Sequence, residues 1–236
     1  AHVASHDLQE PLRKILTYID RIQNNNEKLS DAGVDFLTKI TASARRMTRL
    51  IDDLLDFSSL SHSKRFETVD LNKVLEEVLA EMEISISEKK ASVVYDKNLP
   101  AIQGDAVQLA QLFQNLISNG LKFTKENNPP SIKINFRMLS DEEISRHDFV
   151  NRKGEYVELV FSDNGIGFNQ NFSDQIFIIF QRLHEKNKYP GTGIGLALCK
   201  RIVENHGGKI LAESTNGGAT FYVLLPLQQE VAVKQG

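Results

Sequence analysis

The run DAVQLAQLFQNLISNGLKF, residues 105–123, carries two messages on one helix. Asp105 is a good N-cap, and Leu109, Leu112, Phe113, Leu116 and Ile117 recur at three/four spacing, so one face is apolar and must lie against another layer. The other face carries Gln108, Gln111, Asn115, Asn119 and Lys122. Asparagine is a poor mid-helix residue because its side chain competes for backbone hydrogen bonds. Two of them at i and i+4, with Lys122 three residues on, need compensation. Amide oxygens suit a hard cation such as Mg2+, and a lysine beside them suits phosphate oxygens. A solvated helix face accounts for the same residues.

Two glycine loops follow. The apolar strand Val157 to Phe161 leads into Asp163-Asn164-Gly165-Ile166-Gly167. A strand end is where ligands commonly meet an α/β layer; Gly165 and Gly167 let backbone approach a flat ring, and a fixed carboxylate suits an adenine amino group. An ordinary turn also fits that tripeptide. Gly191-Thr192-Gly193-Ile194-Gly195 then opens a helix through Leu196, Leu198, Ile202 and Val203, where free N–H groups and the helix dipole favour phosphate. It is not a Walker loop, since no Lys-Ser or Lys-Thr follows.

Between and around these loops the pattern predicts a strand over 66–69, a helix over 71–88 capped by Asp70, a strand over 92–95, the helix from Asp105 to about Phe123, and strands over 132–138 and 155–162. The charged excursion Asp141 to Lys153 reads as a solvated loop. A helix over 194–206 and strands over 209–213 and 220–225, around the turn Asn216-Gly217-Gly218, complete the series. This order of strands and helices predicts a two-layer α/β sandwich.

The front of the chain reads differently. Leu8, Leu12, Ile15, Ile19 and Ile22 alternate steps of four and three, and Leu37, Ile40, Ala44, Met47, Ile51, Leu54 and Ser58 do the same behind an N-cap at Ser30 or Asp31. Two helices, roughly 1–24 and 32–61, form a hairpin across Asn24-Asn25-Asn26-Glu27-Lys28. Leu50, Leu55 and Phe57 widen the apolar stripe beyond a two-helix seam, so two copies pairing into a four-helix bundle, a homodimer, is expected. Residues 58–65 are polar, and the boundary falls near 62–66.

His6 lies off the stripe, about 180° from Ile15 and 200° from Leu8 at the helical angle per residue. Its imidazole is nucleophilic when neutral, and its ordinary pKa lies close to neutral pH. A solvated histidine is the plain alternative.

Composition narrows the classes. The 236 residues are 41% hydrophobic, with 28 basic against 31 acidic side chains, net -3, and no basic block for nucleic acid or lipid. Cys199 stands alone, so no internal disulfide forms, and a reducing compartment is compatible. No run approaches a membrane span and no signal peptide is recognisable, so this stretch is expected to be soluble and cytoplasmic, with no direct membrane contact. Its uncapped helical opening at Ala1 is expected to follow an upstream sensor or membrane segment.

Taken in order, Asn115-x-x-x-Asn119-x-x-Lys122-Phe123-Thr124, Asp163-x-Gly165-x-Gly167, Ile176-Phe177 to Phe180-Gln181-Arg182, Gly191-Thr192-Gly193-x-Gly195-Leu196 and Gly218-Ala219-Thr220-Phe221 resemble the N, G1, F and G2 boxes and last strand of sensor histidine kinases. The segment His6-Asp7-Leu8-Gln9-Glu10-Pro11-Leu12 resembles that family's H box, of the phytochrome-like kind. The resemblance implies residues 1–62 as a dimerisation and phosphotransfer hairpin, 63–69 as linker and first strand, 70–230 as a Bergerat-type ATP-binding domain and 231–236 as tail. It implies His6 as the phosphoacceptor with Asp7 orienting or deprotonating it, ATP and Mg2+ as cofactors, and an aspartate of a response-regulator receiver domain as phosphoryl acceptor. Asn119 is then the Mg2+ ligand, with Asn115 and Lys122 at the phosphates. Asp163 accepts from adenine, helped through water by Thr220, and Gly165 and Gly167 form the ring-contacting turn. Gly191, Gly193 and Gly195 are the hinge and cradle of a lid between Arg182 and Gly191. Phe180 and Arg182 match the F box, where an aromatic also serves as core.

Two features of the H box have physical weight. Pro11 lacks an N–H for the carbonyl of Asp7 and bends the helix within a turn of His6. Glu10, four residues after His6, places a carboxylate where many relatives carry Thr or Asn, which predicts weak phosphatase activity. Other ATPases of the same nucleotide fold, and a non-catalytic dimeric scaffold, are the alternatives; the first have no use for a histidine-bearing hairpin, and the second has none for the full set of loop residues.

Overall fold

A computed structural model describes residues 12–22, 29–59, 66–146, 154–183, 189, 191–215 and 217–229. The expectations for His6, Asp7, Glu10, Pro11, the hairpin connection at 24–28 and the turn residue Asn216 lie outside the described residues. The chain divides into two compact units, Ala1–Ser61 and His62–Gly236.

In the first unit, helix α1 runs over 12–22 and α2 over Asp31–Ser59. The Gly33 N–H donates to Ser30 Oγ at 3.2 Å, so Ser30 satisfies one of the free amides at the start of α2. Leu12, Ile19 and Ala44 are buried, while Ile15, Ile22, Ile40, Met47 and Leu54 of the same stripes stay exposed in a single chain. That leaves an uncovered apolar face.

The second unit is built on a five-stranded mixed sheet in the order β2-β4-β5-β7-β6, with β2 over Ser92–Tyr95, β4 over Ser131–Met138, β5 over Tyr156–Asp163, β6 over Lys209–Thr215 and β7 over Gly218–Pro226. Only β2 and β4 run parallel, and α5, over Ala106–Lys122, lies between them in sequence. Its apolar face is buried as its spacing predicts, with the Phe113 ring 5.5 Å from that of Phe161. Helices α3, over Leu71–Glu81, and α7, over Gly195–Asn205, bury Val74, Leu75, Ile202 and Val203 beside it. The α/β two-layer sandwich is the observed architecture.

Three expectations need correction. The helix over 71–88 breaks at Met82 into α3 and α4, the latter over Glu83–Glu88, because Met82 takes ψ 2°. A short strand β3, Ala101–Gly104, pairs antiparallel with β1, Glu67–Asp70, in a separate two-stranded sheet; its four residues were hidden behind Pro100. Third, the excursion after β4 is not simply solvated. It contains α6, Asp141–Arg146, whose Ile144 is buried against Leu139, Tyr156 and Leu224 on the far face of the sheet. Arg137 bridges Glu143 of α6 and Glu158 of β5 at 2.6 Å each, and the Ser140 N–H with that guanidinium pulls the Glu143 carboxyl down to about 2. Ion pairing and one apolar anchor outweigh the polarity of this stretch.

Candidate functional site

Asp105 starts α5 by accepting from the N–H groups of Val107 and Gln108 at 3.1 and 3.2 Å. The phase this sets leaves Asn115, Asn119 and Lys122 half-buried along one edge of the helix. Gly195 opens α7 beside that edge: a Cβ on it would lie 3.2 Å from Asn115 Oδ1. A Cβ on Gly191 would lie 2.5 Å from Lys122 Nζ. The structure thus brings two of the α5 polar residues to the second glycine loop, which sequence separation alone could not show.

Lys122 is also placed 4.4 Å over the Phe123 ring. Burial, and then the charge of Arg182, lower its pKa. Arg182 donates to the carbonyls of Gly191 and Tyr189 at 3.0 and 2.6 Å, while Tyr189 donates to the Thr124 carbonyl at 3.2 Å and its ring sits 5.2 Å from that of Phe123. Among the described residues no carboxylate forms an ion pair with Lys122 or Arg182. Two converging cations in a partly desolvated place favour a polyanion. No cluster of three or more His, Cys, Asp or Glu side chains suited to a metal occurs among the described residues. A hard cation here fits an amide oxygen together with the oxygens of the anion itself.

Asp163 closes β5. Its Oδ1 accepts from the N–H groups of Gly165 at 2.8 Å and Ala219 at 3.2 Å, and Oδ2 has no hydrogen-bond partner among the described residues. Burial pushes the carboxyl pKa up, and the two N–H groups oppose this. One oxygen is therefore locked and the other is left as an acceptor. Gly120 of α5 leaves room for Ile132 of β4, whose Cδ1 would lie 2.9 Å from a Cβ there, and so lets α5 lie close to the sheet beside Asp163.

The first glycine loop is stitched to the protein on three sides. Asn164 accepts from the Ser131 N–H at 2.8 Å and donates to the Pro129 carbonyl at 3.0 Å. The Ile166 N–H donates to the Phe123 carbonyl at 2.9 Å, and a Cβ on Gly165 would collide with that same oxygen. Gly165 therefore makes room for the end of α5, which by itself calls for glycine at this position. Gly167 takes φ +64°, and the next N–H, of Phe168, donates to Ser214 Oγ at 2.7 Å. Ser214 gave no signal in the sequence, being one serine in a strand.

Thr220 is a correction. Ser162 and Thr220 are directly paired across β5 and β7, and Thr220 Oγ1 donates to Ser162 Oγ at 3.2 Å. Neighbouring strand residues face opposite ways, so Thr220 lies on the sheet face away from Asp163. The inward neighbour is Ala219, which serves through its backbone.

Phe180 is exposed, with φ +66°, so the plain alternative of a core aromatic does not hold for it; among the described residues the buried F-box side chains are Ile176 and Phe177. Its N–H donates to the Gly193 carbonyl at 2.9 Å, and Gly193 itself takes φ +81°. The segment 184–188 and residue 190, the core of the expected lid, lie outside the described residues. Tyr189, Ser214 and Asn164 are additions to the site; Asn164 stands inside the first glycine loop, and Tyr189 and Ser214 carry no motif to mark them.

These features meet known proteins at both ends of the chain. Residues 104–229 match the family model of histidine kinase-, DNA gyrase B- and HSP90-like ATPases, and residues 1–63 match that of the His Kinase A (phospho-acceptor) domain. Cyanobacterial phytochrome A of Nostoc sp. is 40% identical over 232 residues, covering 96% of this chain and 28% of the relative. Phytochrome-like protein Cph1 of Synechocystis sp. is 36% identical, over 96% of this chain and 29% of the relative. The chain thus spans less than a third of these relatives. Sensor protein kinase WalK of Staphylococcus aureus is 28% identical, over 95% and 52%. Among solved structures, full-length ShkA in complex with AMPPNP covers 98% of this chain and 46% of its own at TM-score 0.69 and 22% identity. Histidine kinase ThkA in complex with the response regulator TrrA covers 96% and 60% at TM-score 0.62 and 22% identity. Both share the fold. With a phospho-acceptor domain in front and this ATPase domain behind, the chain belongs to the histidine kinases, as the catalytic region of a sensor histidine kinase.

Proposed function

We propose that the chain binds ATP between α5 and the two glycine loops, transfers the γ-phosphoryl group to His6, and passes it to an aspartate of a response-regulator receiver domain. The observation that carries the reading is the half-engaged Asp163 carboxylate, one oxygen held by two N–H groups and the other available to an exocyclic amine. Lys122 and Arg182 supply positive charge for the phosphates, and Asn115 borders the opening of α7, where unpaired N–H groups favour anions. Asn119 is the proposed ligand of Mg2+, whose chemistry is to neutralise phosphate charge.

The reaction is mainly one of positioning and charge neutralisation. A nitrogen of neutral His6 attacks the γ-phosphorus and ADP leaves; Asp7 holds or accepts the imidazole proton. The uncovered apolar stripe of α1 and α2 supports a homodimer, its two hairpins forming a four-helix bundle. The receiver partner draws support from ThkA, which was solved with a response regulator. No described helix is long and apolar enough to cross a membrane, in keeping with a cytoplasmic catalytic region.

Incubation with γ-labelled ATP tests the proposal. Acid-labile, base-stable label on the chain, lost in His6→Gln and moved to a receiver domain on mixing, supports it. ATP hydrolysis with no labelled chain points instead to another ATPase of this fold, and absence of ATP binding to a scaffold.

A further inference from the structure

His206 belongs to none of the motifs, yet it touches both helices that carry them. It is fully buried at the end of α7. Its Nδ1 lies 2.7 Å from the Ile202 carbonyl oxygen, and its Nε2 lies 3.0 Å from the backbone nitrogen of Asp105, the N-cap of α5. A carbonyl only accepts and an amide N–H only donates. The two partners therefore assign the neutral tautomer with its proton on Nδ1.

The surroundings are fitted to this ring. A Cβ on Gly104 would stand 3.1 Å from both His206 Nε2 and Cδ2 and 2.8 Å from Leu109 Cδ1, so any side chain there would press on the imidazole and on the apolar face of α5. The Phe66 ring packs at 5.0 Å, and Gln229 Nε2 donates to the His206 carbonyl at 2.8 Å and to that of Gln103 at 3.2 Å. Phe66 and Gly104 border the ring, and Gln229 ties down the backbone that carries it.

The start of α5 is thereby bonded to the end of α7. The same helices come close again where Asn115, in the middle of α5, faces Gly195 at the start of α7, its Oδ1 3.2 Å from the place a Cβ on Gly195 would occupy. At about 1.5 Å rise per residue, the 11 residues of α7 put these contacts about 16 Å apart. Two contacts so separated fix the axial register of the pair. With the His206 bond removed, the outer end of the pair keeps the Asn205 Nδ2–Gln108 Oε1 hydrogen bond at 3.4 Å and its apolar packing but loses its tie to the α5 cap.

We propose that His206 is a positioning residue for the nucleotide: through the Asp105 amide it sets the register that holds the α5 amide edge against the opening of α7. The proposal rests on the nucleotide reading given above. His206→Phe keeps an aromatic ring beside Phe66 and removes both ring hydrogen bonds. His206→Gln keeps an acceptor within reach of the Asp105 N–H.

The test uses the whole chain, with Mg-ATP titrated calorimetrically well below each variant's melting temperature. The expected result is a Kd raised about tenfold in His206→Phe, the scale of one lost hydrogen bond, and recovered to within about threefold in His206→Gln. The imidazole nitrogens of the wild-type chain should show the Nδ1-protonated tautomer by 15N NMR. A His206→Phe chain that melts lower but binds as tightly as wild type overturns the proposal, because a merely structural histidine behaves that way. A His206→Gln chain as weak as His206→Phe does so as well. Should His206→Phe not fold, Gly104→Ala, which crowds both the ring and Leu109 Cδ1 from the α5 side, is expected to raise Kd about threefold; unchanged binding there overturns the proposal. A wild-type chain that does not bind ATP instead removes the nucleotide reading on which it stands.

Discussion

Gly195 stands against Asn115, with 3.2 Å between the amide oxygen and the place a Cβ would occupy. Gly195→Ala must push the Asn115 side chain aside by a few tenths of an ångström at the mouth of the proposed phosphate site. The fold absorbs that, since the displaced atom ends a side chain. Nucleotide affinity is expected to fall about tenfold, the scale of one hydrogen bond to a charged group, with little change in melting temperature. Calorimetric titration and thermal unfolding of the same preparation check this.

Asp163 opposes stability and function. Its raised pKa means that the folded chain favours the neutral acid. This contribution to stability is fully present below the ordinary carboxylate pKa of about 3.9 and is lost as pH rises through the raised value. Asp163→Asn keeps a carbonyl oxygen for the Gly165 and Ala219 N–H groups and removes the buried charge. It is therefore expected to unfold at a higher temperature than wild type at neutral pH without nucleotide. Its amide –NH2 would face the adenine amine, donor against donor, so ATP affinity is expected to fall by about 100-fold, near 3 kcal/mol.

Lys122 gives nucleotide binding a proton signature. Burial and Arg182 lower its pKa, and a bound phosphate reverses the preference toward the charged form. Binding measured in buffers of different ionisation enthalpy should show net proton uptake that grows as pH rises toward the lowered pKa, with affinity falling beyond it. In Lys122→Met the uptake disappears. Uptake that survives in that variant belongs to another group.

Thr220→Val separates the sequence reading from the geometry. Because Thr220 faces Ser162 on the far side of the sheet, ATP affinity is expected to stay within about twofold of wild type, well under the cost of a lost hydrogen bond. A tenfold loss would return Thr220 to the site.

Legibility in the sequence followed the range of the interactions. Helix α5 was readable because its cap, apolar face and amide edge all lie within 19 residues, and β2 because its flanks are turns. The break at Met82 and strand β3 were not, since the one depends on a single ψ and the other on pairing with a distant strand. Helix α6 was missed because Ile144 finds its apolar partners across the sheet, which no local pattern records. In the site, residue types were legible and orientations were not. Thr220 and Ala219 differ by one position in a strand, and a period of two decides which faces Asp163. His206 and Ser214 act through backbone amides distant in sequence, a relation that only the fold reveals.

The nucleotide site matters to signalling only if the ATPase domain serves His6. The most direct measurement is mass-spectrometric location of phosphate after incubation with Mg-ATP, under conditions that preserve phosphohistidine. Phosphate on His6 in wild type, none in His6→Gln, and far less in Asp163→Asn at ATP concentrations near the wild-type Kd, is the predicted result; phosphate on another residue, its persistence in His6→Gln, or wild-type levels in Asp163→Asn at that concentration would contradict the assignment of His6.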